Sequence, residues 1–263
     1  MNKETNMKFS NVYEDSRRED EYSKLKFDKT YYLAYRDLPK IISKHTSGIN
    51  ALDFGCGTGR STRFLQTLGF KTIGVDISEE MITIAQQLDP TGIYKHIDDG
   101  DFNNLPSLSY DLVLSAFTFD NIPTMNKKIT LFEDLSVILK QNGTIINLVS
   151  SPEIYTHEWA SFTTKDFPEN AEAKSGDIVR IITTDIKDKR PCYDIFWSAE
   201  DYKKVYRSAE LCIINIYKPL ATGHEPYQWV NETQTAPWTI YVLKKKKKKS
   251  ITSFLNREDR FVC

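Results

Sequence analysis

The chain reads Ala51-Leu52-Asp53-Phe54-Gly55-Cys56-Gly57-Thr58-Gly59-Arg60 at the point that decides its fold. Apolar residues lead into glycines at alternate positions, and a helical pattern of apolar residues follows them. A strand, a glycine loop and a helix in this order let a nucleoside cofactor lie against bare backbone at the carboxyl end of a parallel strand. The spacing is G-x-G-x-G, which differs from the G-x-G-x-x-G of dinucleotide-binding folds.

Strands and helices alternate along the segment that contains this loop. Apolar periodicity and turn residues predict strands at residues 49–54, 71–75, 93–97, 110–115 and 144–149. Helices are predicted at residues 61–68, 79–88 and 124–140, and Ser78 is the expected N-cap of the second. Strands that alternate with helices in this way favour an α/β fold with a doubly wound parallel sheet.

Two aspartates frame the glycine loop, because Asp53 stands just before it and Asp76 ends the next strand. Together with the glycine spacing they resemble motif I of the class I S-adenosyl-L-methionine (SAM)-dependent methyltransferases. The segments Asp98-Asp99-Gly100-Asp101-Phe102 and Tyr110-Asp111-Leu112-Val113 also resemble that family. The resemblance covers about residues 49–150. It implies a seven-stranded, Rossmann-like sheet with a closing antiparallel hairpin, for which we expect the last strands at residues 211–217 and 239–243.

The resemblance implies SAM as the cofactor and gives roles to residues around it. Asp76 would accept hydrogen bonds from the ribose hydroxyls. An aspartate after the third strand would hold the adenine amino group, with Phe102 over the ring, and it stays open whether Asp99 or Asp101 does so. Tyr31 and Tyr32 either close over the cofactor or pack against the sheet. The predicted contacts are Tyr31, Tyr32, Asp53, Gly55, Cys56, Gly57, Gly59, Asp76, Ile77, Asp99, Asp101, Phe102 and Ser115.

The chain divides by its patterns into five parts. We expect a helical N-terminal cap at residues 1–48, a SAM-binding core at 49–150 and a substrate-side insertion at 151–197. Residues 198–243 complete the sheet, and residues 244–263 form a basic tail that we expect to be disordered. Within the insertion, residues 176–185 alternate apolar and polar side chains, which predicts a strand, with residues 195–197 as its antiparallel partner. Extra strands at this position can form a wall over a substrate cleft.

The composition limits the possible partners. Residues 244–263 carry a net charge of +6, so the body before them carries −7 in a chain whose net charge is −1. An acidic body argues against a nucleic-acid substrate, because phosphate contacts need clustered Lys and Arg. The 4 cysteines are widely separated, so neither a zinc site nor a disulfide framework is expected. No apolar run is long enough to cross a bilayer, and no signal peptide is recognised at the start, so we expect a cytoplasmic protein with no membrane partner.

Methyl transfer requires alignment of an acceptor with the methyl group, and often a base that removes a proton from the acceptor. The candidate bases are His157, Asp120 and Glu158, with His157 ranked first because its ordinary pKa suits neutral pH. His157 could equally form a structural hydrogen bond beside Trp159, and Asp120 could be a turn cap. We therefore predict a methyltransferase that acts on an O or N atom of a small molecule. Two alternatives are a SAM-binding protein without catalysis and an NAD-dependent oxidoreductase. The oligomeric state is left open.

Overall fold

The computed structural model describes residues 27–103 and 105–246. The first part of the predicted cap and the tail beyond Lys246 lie outside the described residues. The helices are α1 (Lys29–Arg36), α2 (Leu38–His45), α3 (Arg60–Thr67), α4 (Glu79–Leu88), α5 (Met125–Ile138) and α6 (Ala199–Ser208). The strands are β1 (Asn50–Phe54), β2 (Lys71–Asp76), β3 (Ile93–His96), β4 (Tyr110–Ala116), β5 (Leu139–Ser150), β6 (Phe162–Thr163), β7 (Ile178–Thr183), β8 (Cys192–Ile195), β9 (Leu211–Tyr217) and β10 (Trp238–Lys245). Short 3₁₀ turns cover Thr118–Asn121, Pro152–Tyr155 and Pro168–Glu172.

Seven of these strands form one sheet in the order β3-β2-β1-β4-β5-β10-β9. The strands from β3 to β5 are parallel to one another, and β10 is antiparallel to both β5 and β9. The strand order reverses between β1 and β4, which is the switch point where open α/β sheets bind ligands. The predicted doubly wound, Rossmann-like sheet with a closing antiparallel hairpin is therefore confirmed.

Both faces of the sheet are buried. Leu112 and Leu114 of β4 point into a core that also contains α1 and α2, whereas Val113 points into a second core beneath α5 and α6. Alternate residues of one strand thus enter different cores, which is why the parallel strands read as continuous apolar runs. In the part of the chain that the structure describes, no helix is both long and apolar enough to cross a bilayer.

The insertion after β5 forms its own antiparallel sheet in the order β6-β7-β8. This confirms the predicted small β insertion. β8 covers Cys192–Ile195, so the partner of β7 begins earlier than the predicted residues 195–197. The short strand β6 was not predicted, because two residues give no periodic signal.

The N-terminal helical run is interrupted, contrary to the continuous helical spacing of its apolar residues. Arg36 ends α1, and α2 starts at Leu38 with Pro39 in its first turn. Proline has no backbone N–H and fits only the first turn of a helix, so the chain must start a new helix there.

Strands β5 and β10 are longer than predicted. β5 begins at Leu139 directly after α5, with Gly143 inside the strand, and a register shift lies opposite Tyr110. Leu139 continues the helical spacing of α5, which hid the boundary in the sequence. β10 extends to Lys245, so the first lysines of the basic run belong to the sheet.

Candidate active site

A cavity of about 550 Å³ opens at the carboxyl ends of β1, β2 and β4. Eight of the predicted site residues line it: Tyr31, Gly55, Cys56, Gly57, Asp76, Ile77, Asp99 and Asp120. The other predicted residues are not part of the lining; they are Tyr32, Asp53, Gly59, Asp101, Phe102, Ser115, His157 and Glu158. The cavity also takes in residues of α1, of β7 and β8, and Trp238 at the start of β10.

The glycine loop is fixed against the turn that follows β4. Gly55 has φ +70, and a Cβ there would meet the Thr118 Oγ1 at 2.2 Å. The Thr118 hydroxyl instead donates to the carbonyl oxygen of Phe54 at 2.9 Å. Gly57 has φ +51 and nothing within 4 Å of the position of an added Cβ. Gly55 therefore serves the packing of the loop, while Gly57 leaves open space on its cavity side.

Asp76 ends β2 at the cavity and also braces the glycine loop. Its Oδ2 accepts from the Gly57 backbone N–H at 2.7 Å, and its Oδ1 accepts from the Ser78 N–H at 3.0 Å. Burial raises the pKa of Asp76 despite these hydrogen bonds, which favour the charged form. A half-buried carboxylate beside open space can accept two further hydrogen bonds from a ligand.

Asp53 and Ser115 lie beneath the loop, fully buried. Asp53 Oδ2 accepts from the Ser61 and Thr62 hydroxyls, both at 2.6 Å. The Asp53 Oδ1 and Ser115 Oγ are buried with no hydrogen-bond partner among the described residues. Burial raises the pKa of Asp53 to about 6. Asp53 is in register with Leu114 of one core and Ser115 with Phe54 of the other, so the two unpaired atoms lie on opposite faces of the sheet and do not form one site.

The turn after β3 separates the two aspartates that the sequence could not rank. Asp99 lines the cavity and forms an ion pair with Lys127 at 3.1 Å. The Asp101 Oδ1 accepts from the Asn103 N–H at 2.8 Å, within its own turn. Phe102 is buried and stacks on Phe54 with ring centroids 5.7 Å apart. Of the two aspartates, Asp99 lines the cavity and Asp101 does not, and Phe102 packs behind Phe54, which lines the cavity.

The tyrosines of α1 have different surroundings. Tyr31 lines the cavity, whereas Tyr32 packs on Tyr227 with centroids 5.5 Å apart. The guanidinium of Arg60 lies 5.0 Å from the centroid of the Tyr31 ring and 5.8 Å from that of Tyr35. Arg60 is the first residue of α3, directly after the glycine loop, and it also lines the cavity. A cationic and aromatic group therefore closes the cavity beside the loop.

Glu232 fixes α1 to the insertion. It is fully buried, and it accepts from the Thr30 hydroxyl and from the Ala160 backbone N–H, both at 2.7 Å. Its second oxygen accepts from the backbone N–H groups of Val230 and Asn231, at 2.8 and 3.1 Å. These hydrogen bonds join three segments that are distant in sequence, so Glu232 holds Tyr31 in place over the cavity.

Asp120 is the buried carboxylate at the end of the cavity beyond β4. Its Oδ2 accepts from the Ser150 N–H at 3.0 Å. Behind it, the fully buried Lys128 donates to the Phe119 carbonyl oxygen and lies 4.8 Å from the centroid of the Trp197 ring. Burial raises the pKa of Asp120 to about 6 and lowers that of Lys128 to about 7, and their opposite charges counteract both effects. Asp120 is therefore a buried carboxyl group at the cavity whose pKa lies above that of an exposed aspartate.

His157 and Glu158 do not line the cavity. The His157 Nδ1 lies 3.0 Å from the carbonyl oxygen of Glu153, and its ring packs 5.9 Å from that of Trp159. Glu158 accepts from the Thr164 N–H and the Thr163 hydroxyl, both at 2.7 Å, and these hydrogen bonds lower its pKa despite partial burial. Both residues brace the insertion internally, so their placement does not support the predicted role of either as the base.

The wall of the cavity contains residues that the sequence did not single out. Asp194 of β8 lines the cavity, and its Oδ2 accepts from the Tyr155 hydroxyl at 3.1 Å. Lys128 and Glu232 were missed as well. The signal for Lys128 was available, because it stands on the apolar face of α5 at helical spacing from Leu131 and Leu135. Asp194 and Glu232 carry no local signal, since their role arises only when distant segments meet.

Comparisons with known proteins agree with this geometry. A family model described as a methyltransferase domain matches residues 51–143. An uncharacterized methyltransferase of Alkaliphilus oremlandii is 29% identical over 118 residues, which is 44% of this chain and 53% of that protein. Residues 51–143 therefore carry a methyltransferase domain. SAM is the cofactor that such a domain uses.

A second relative and a solved structure are also similar to this chain. The demethylmenaquinone methyltransferase of Tropheryma whipplei (strain Twist) is 31% identical over 103 residues, 38% of this chain and 41% of that protein. A crystal structure of a SAM-dependent methyltransferase from Clostridium acetobutylicum has a TM-score of 0.57 at 14% identity, covering 86% of this chain and 94% of that one. The chain spans about half the length of the curated relatives it matches. The match to the family model thus lies within residues 51–143, while the likeness of fold covers most of the chain.

Proposed function

We propose that the protein catalyses transfer of the methyl group of SAM to an O or N atom of a small-molecule acceptor. The observation that carries this proposal is one cavity that joins the glycine loop and Asp76 to Asp120 and the insertion. Residues 49–150 would bind the cofactor, and residues 151–197 would form the wall on the acceptor side.

The residues around the glycine loop fit the groups of SAM. Asp76 would accept the ribose hydroxyls, Asp99 and Ile77 would contact the adenine, and Arg60 would pair with the methionine carboxylate. The open space at Gly57 allows the cofactor to approach the backbone of the glycine loop closely. When bound, SAM supplies a methyl group already activated for in-line displacement. The protein then needs to align the acceptor and exclude water.

The acceptor end of the cavity supports a small molecule. Its surface combines the rings of Tyr31, Phe117, Phe162 and Trp238 with the carboxylate of Asp120. Phe117 holds φ +67 at the end of β4, a conformation that is costly for a phenylalanine and is often retained at functional sites. Asp120 replaces His157 as our first candidate for the base, because it faces the cavity. The Tropheryma relative is named for demethylmenaquinone, a small molecule and not a protein or nucleic acid, and this supports a small-molecule acceptor here.

Titration calorimetry with SAM, S-adenosyl-L-homocysteine (SAH) and NAD tests the cofactor, and tighter binding of NAD would exclude the proposal. Release of SAH in the presence of a mixture of small amines, alcohols and phenols then tests catalysis. Tight binding of SAM without SAH release from any acceptor would favour the alternative of a SAM-binding protein without catalysis.

A further inference from the structure

Two groups of residues line the cavity, and they differ in charge. At the cofactor end, the cations Arg60 and Lys127 accompany the carboxylates of Asp76 and Asp99, so that the charges balance there, and Lys127 pairs with Asp99 at 3.1 Å. The group beyond β4 contains the carboxylates of Asp120 and Asp194. Among the described lining residues, no Lys or Arg side chain comes from the insertion or from the turn after β4.

Asp120 and Asp194 lie on neighbouring elements of the structure. β8, which carries Asp194, packs against the 3₁₀ turn that carries Asp120. The Tyr155 hydroxyl donates to the Asp194 Oδ2 at 3.1 Å. Burial raises the pKa of Tyr155 well above its ordinary value, and the charges of Asp194 and Asp120 add to that effect. Both carboxylates therefore act on the same hydroxyl, and the buried Lys128 behind Asp120 offsets only one of the two charges, so the acceptor end of the cavity keeps a net negative charge.

Aromatic rings surround this negative region. Tyr31, Phe117, Phe162 and Trp238 form one cluster, with ring centroids 4.8 Å apart for Phe117 and Trp238 and 5.2 Å apart for Tyr31 and Phe162. The negative faces of such rings attract cations. Carboxylates and aromatic faces together favour an ammonium group and disfavour carboxylate or phenolate anions.

We propose, building on the methyltransferase function above, that the acceptor is a small primary or secondary amine with an apolar or aromatic substituent. It binds as an ammonium ion between Asp120 and Asp194, with its substituent among the rings. The two carboxylates also offset the repulsion between this ammonium and the positive sulfonium of SAM. An alcohol or phenol acceptor carries no positive charge, so it would need only one carboxylate, as the base.

In the proposed reaction, the Asp120 carboxylate accepts the proton that the acceptor loses. The ammonium gives one proton to the Asp120 carboxylate, which frees the nitrogen lone pair. The nitrogen then forms a bond to the methyl carbon while the carbon–sulfur bond breaks and its electron pair stays on sulfur. The products are an N-methylated ammonium ion and SAH, and the proton on Asp120 passes to water.

Matched probes test the inference on the wild-type protein. With SAH present, calorimetry compares 2-phenylethylamine, 2-phenylethanol and phenylacetate, and likewise tryptamine, tryptophol and indole-3-acetate. Because SAH has no sulfonium charge, differences in affinity between the probes reflect the charges of the protein. We expect at least one of the two amines to bind at least tenfold more tightly than its alcohol, and the carboxylates to bind most weakly. If neither amine binds more tightly than its alcohol, including the case in which nothing binds, the inference is overturned.

The variant Asp194→Asn tests whether the charge of Asp194 accounts for the preference for amines. Asp194→Asn should weaken the preferred amine at least tenfold and change the matched alcohol and SAH by less than twofold. Asp166→Asn, at an exposed position outside the cavity lining, is the control. Retained amine affinity in Asp194→Asn would contradict the inference, and if that variant does not fold, the probe series decides. Methyl transfer to alcohols in preference to amines would overturn this inference but keep the proposed function, whereas failure to bind SAM would remove both.

Discussion

Asp76 has two neighbours that define its role, because its carboxylate already accepts from the N–H groups of Gly57 and Ser78 while facing the cavity. Asp76→Ala should weaken SAM binding by about 1.5–3 kcal/mol, the range for hydrogen bonds to a charged group. Calorimetry measures this loss, which corresponds to roughly 12- to 160-fold. The exposed Asp166→Ala is the matched control. Unchanged SAM affinity in Asp76→Ala would mean that Asp76 does not hold the ribose.

A comparison of Gly55 with Gly69 distinguishes two reasons why a position requires glycine, a positive φ and a close contact with a neighbouring side chain. Both have positive φ, +70 and +88, but an added Cβ at Gly69 meets nothing within 4 Å, whereas at Gly55 it meets Thr118 at 2.2 Å. Gly69→Ala should lower the free energy of unfolding by about 1–2 kcal/mol from backbone strain. Gly55→Ala should lower it by a further 1–3 kcal/mol, approximately the cost of overpacking. Denaturant unfolding measures both, and equal losses would refute the role of Thr118.

If Asp120 is the base, catalysis should depend on pH. Burial raises its pKa to about 6, and only the deprotonated form can accept a proton. At saturating SAM, kcat/KM should therefore fall as the pH is lowered through about 6. Asp120→Asn should reduce kcat by about 10²–10⁴-fold and lose that limb of the profile, while SAM affinity stays within about threefold. A variant that keeps both turnover and the acid limb would show that another group is the base.

At the scale of elements, the Glu232 side chain links α1 to the insertion, beside the hydrogen bonds that Thr30 and Ser161 exchange. Glu232 is fully buried and accepts hydrogen bonds from Thr30, Ala160, Val230 and Asn231. Glu232→Ala should lower the free energy of unfolding by about 3 kcal/mol or more, because each buried donor left unpaired costs about 1–3 kcal/mol. Denaturant unfolding checks the loss, with the exposed Glu172→Ala as control.

The same variant tests whether α1 is positioned by this contact. Hydrogen exchange should become faster in α1 of Glu232→Ala, because the helix loses part of its attachment to the insertion, and SAM should bind more weakly as Tyr31 becomes less fixed. Exchange in α1 equal to that of the native chain would show that the other contacts of the helix, among them those of Thr30 with Ser161, hold it without Glu232.

The elements of the cofactor half could be predicted well from the sequence, since each carries a local signal. Ser78 accepts from the Met81 N–H as the expected N-cap, and α4 ends at Leu88 as expected. The β5 start and the break at Asp37 were missed, because apolar spacing continues across both boundaries and the deciding factors are a register shift and Pro39. Boundaries of this kind depend on tertiary pairing rather than on local preference.

At the scale of the whole molecule, the predictability of a site residue follows its distance in sequence from its partners. Gly55, Gly57 and Asp76 lie within one strand–loop–helix–strand unit, so the sequence placed them beside a cofactor. Asp194 and Glu232 meet the cavity or α1 only after the insertion folds back over β4. His157 looked suitable by its chemistry, but it lies on a turn whose hydrogen bonds keep it outside the cavity lining.

The most direct test of the proposed cofactor site is a crystal structure of the full chain with SAH. We predict the ribose hydroxyls within about 3.2 Å of the Asp76 carboxylate, a hydrogen-bond distance. We also predict the adenine beside Asp99 and Ile77, and the sulfur directed toward Phe117 and Asp120. A complex in which SAH lies outside this cavity, or in which Asp76 does not contact the ribose, would contradict the proposed site.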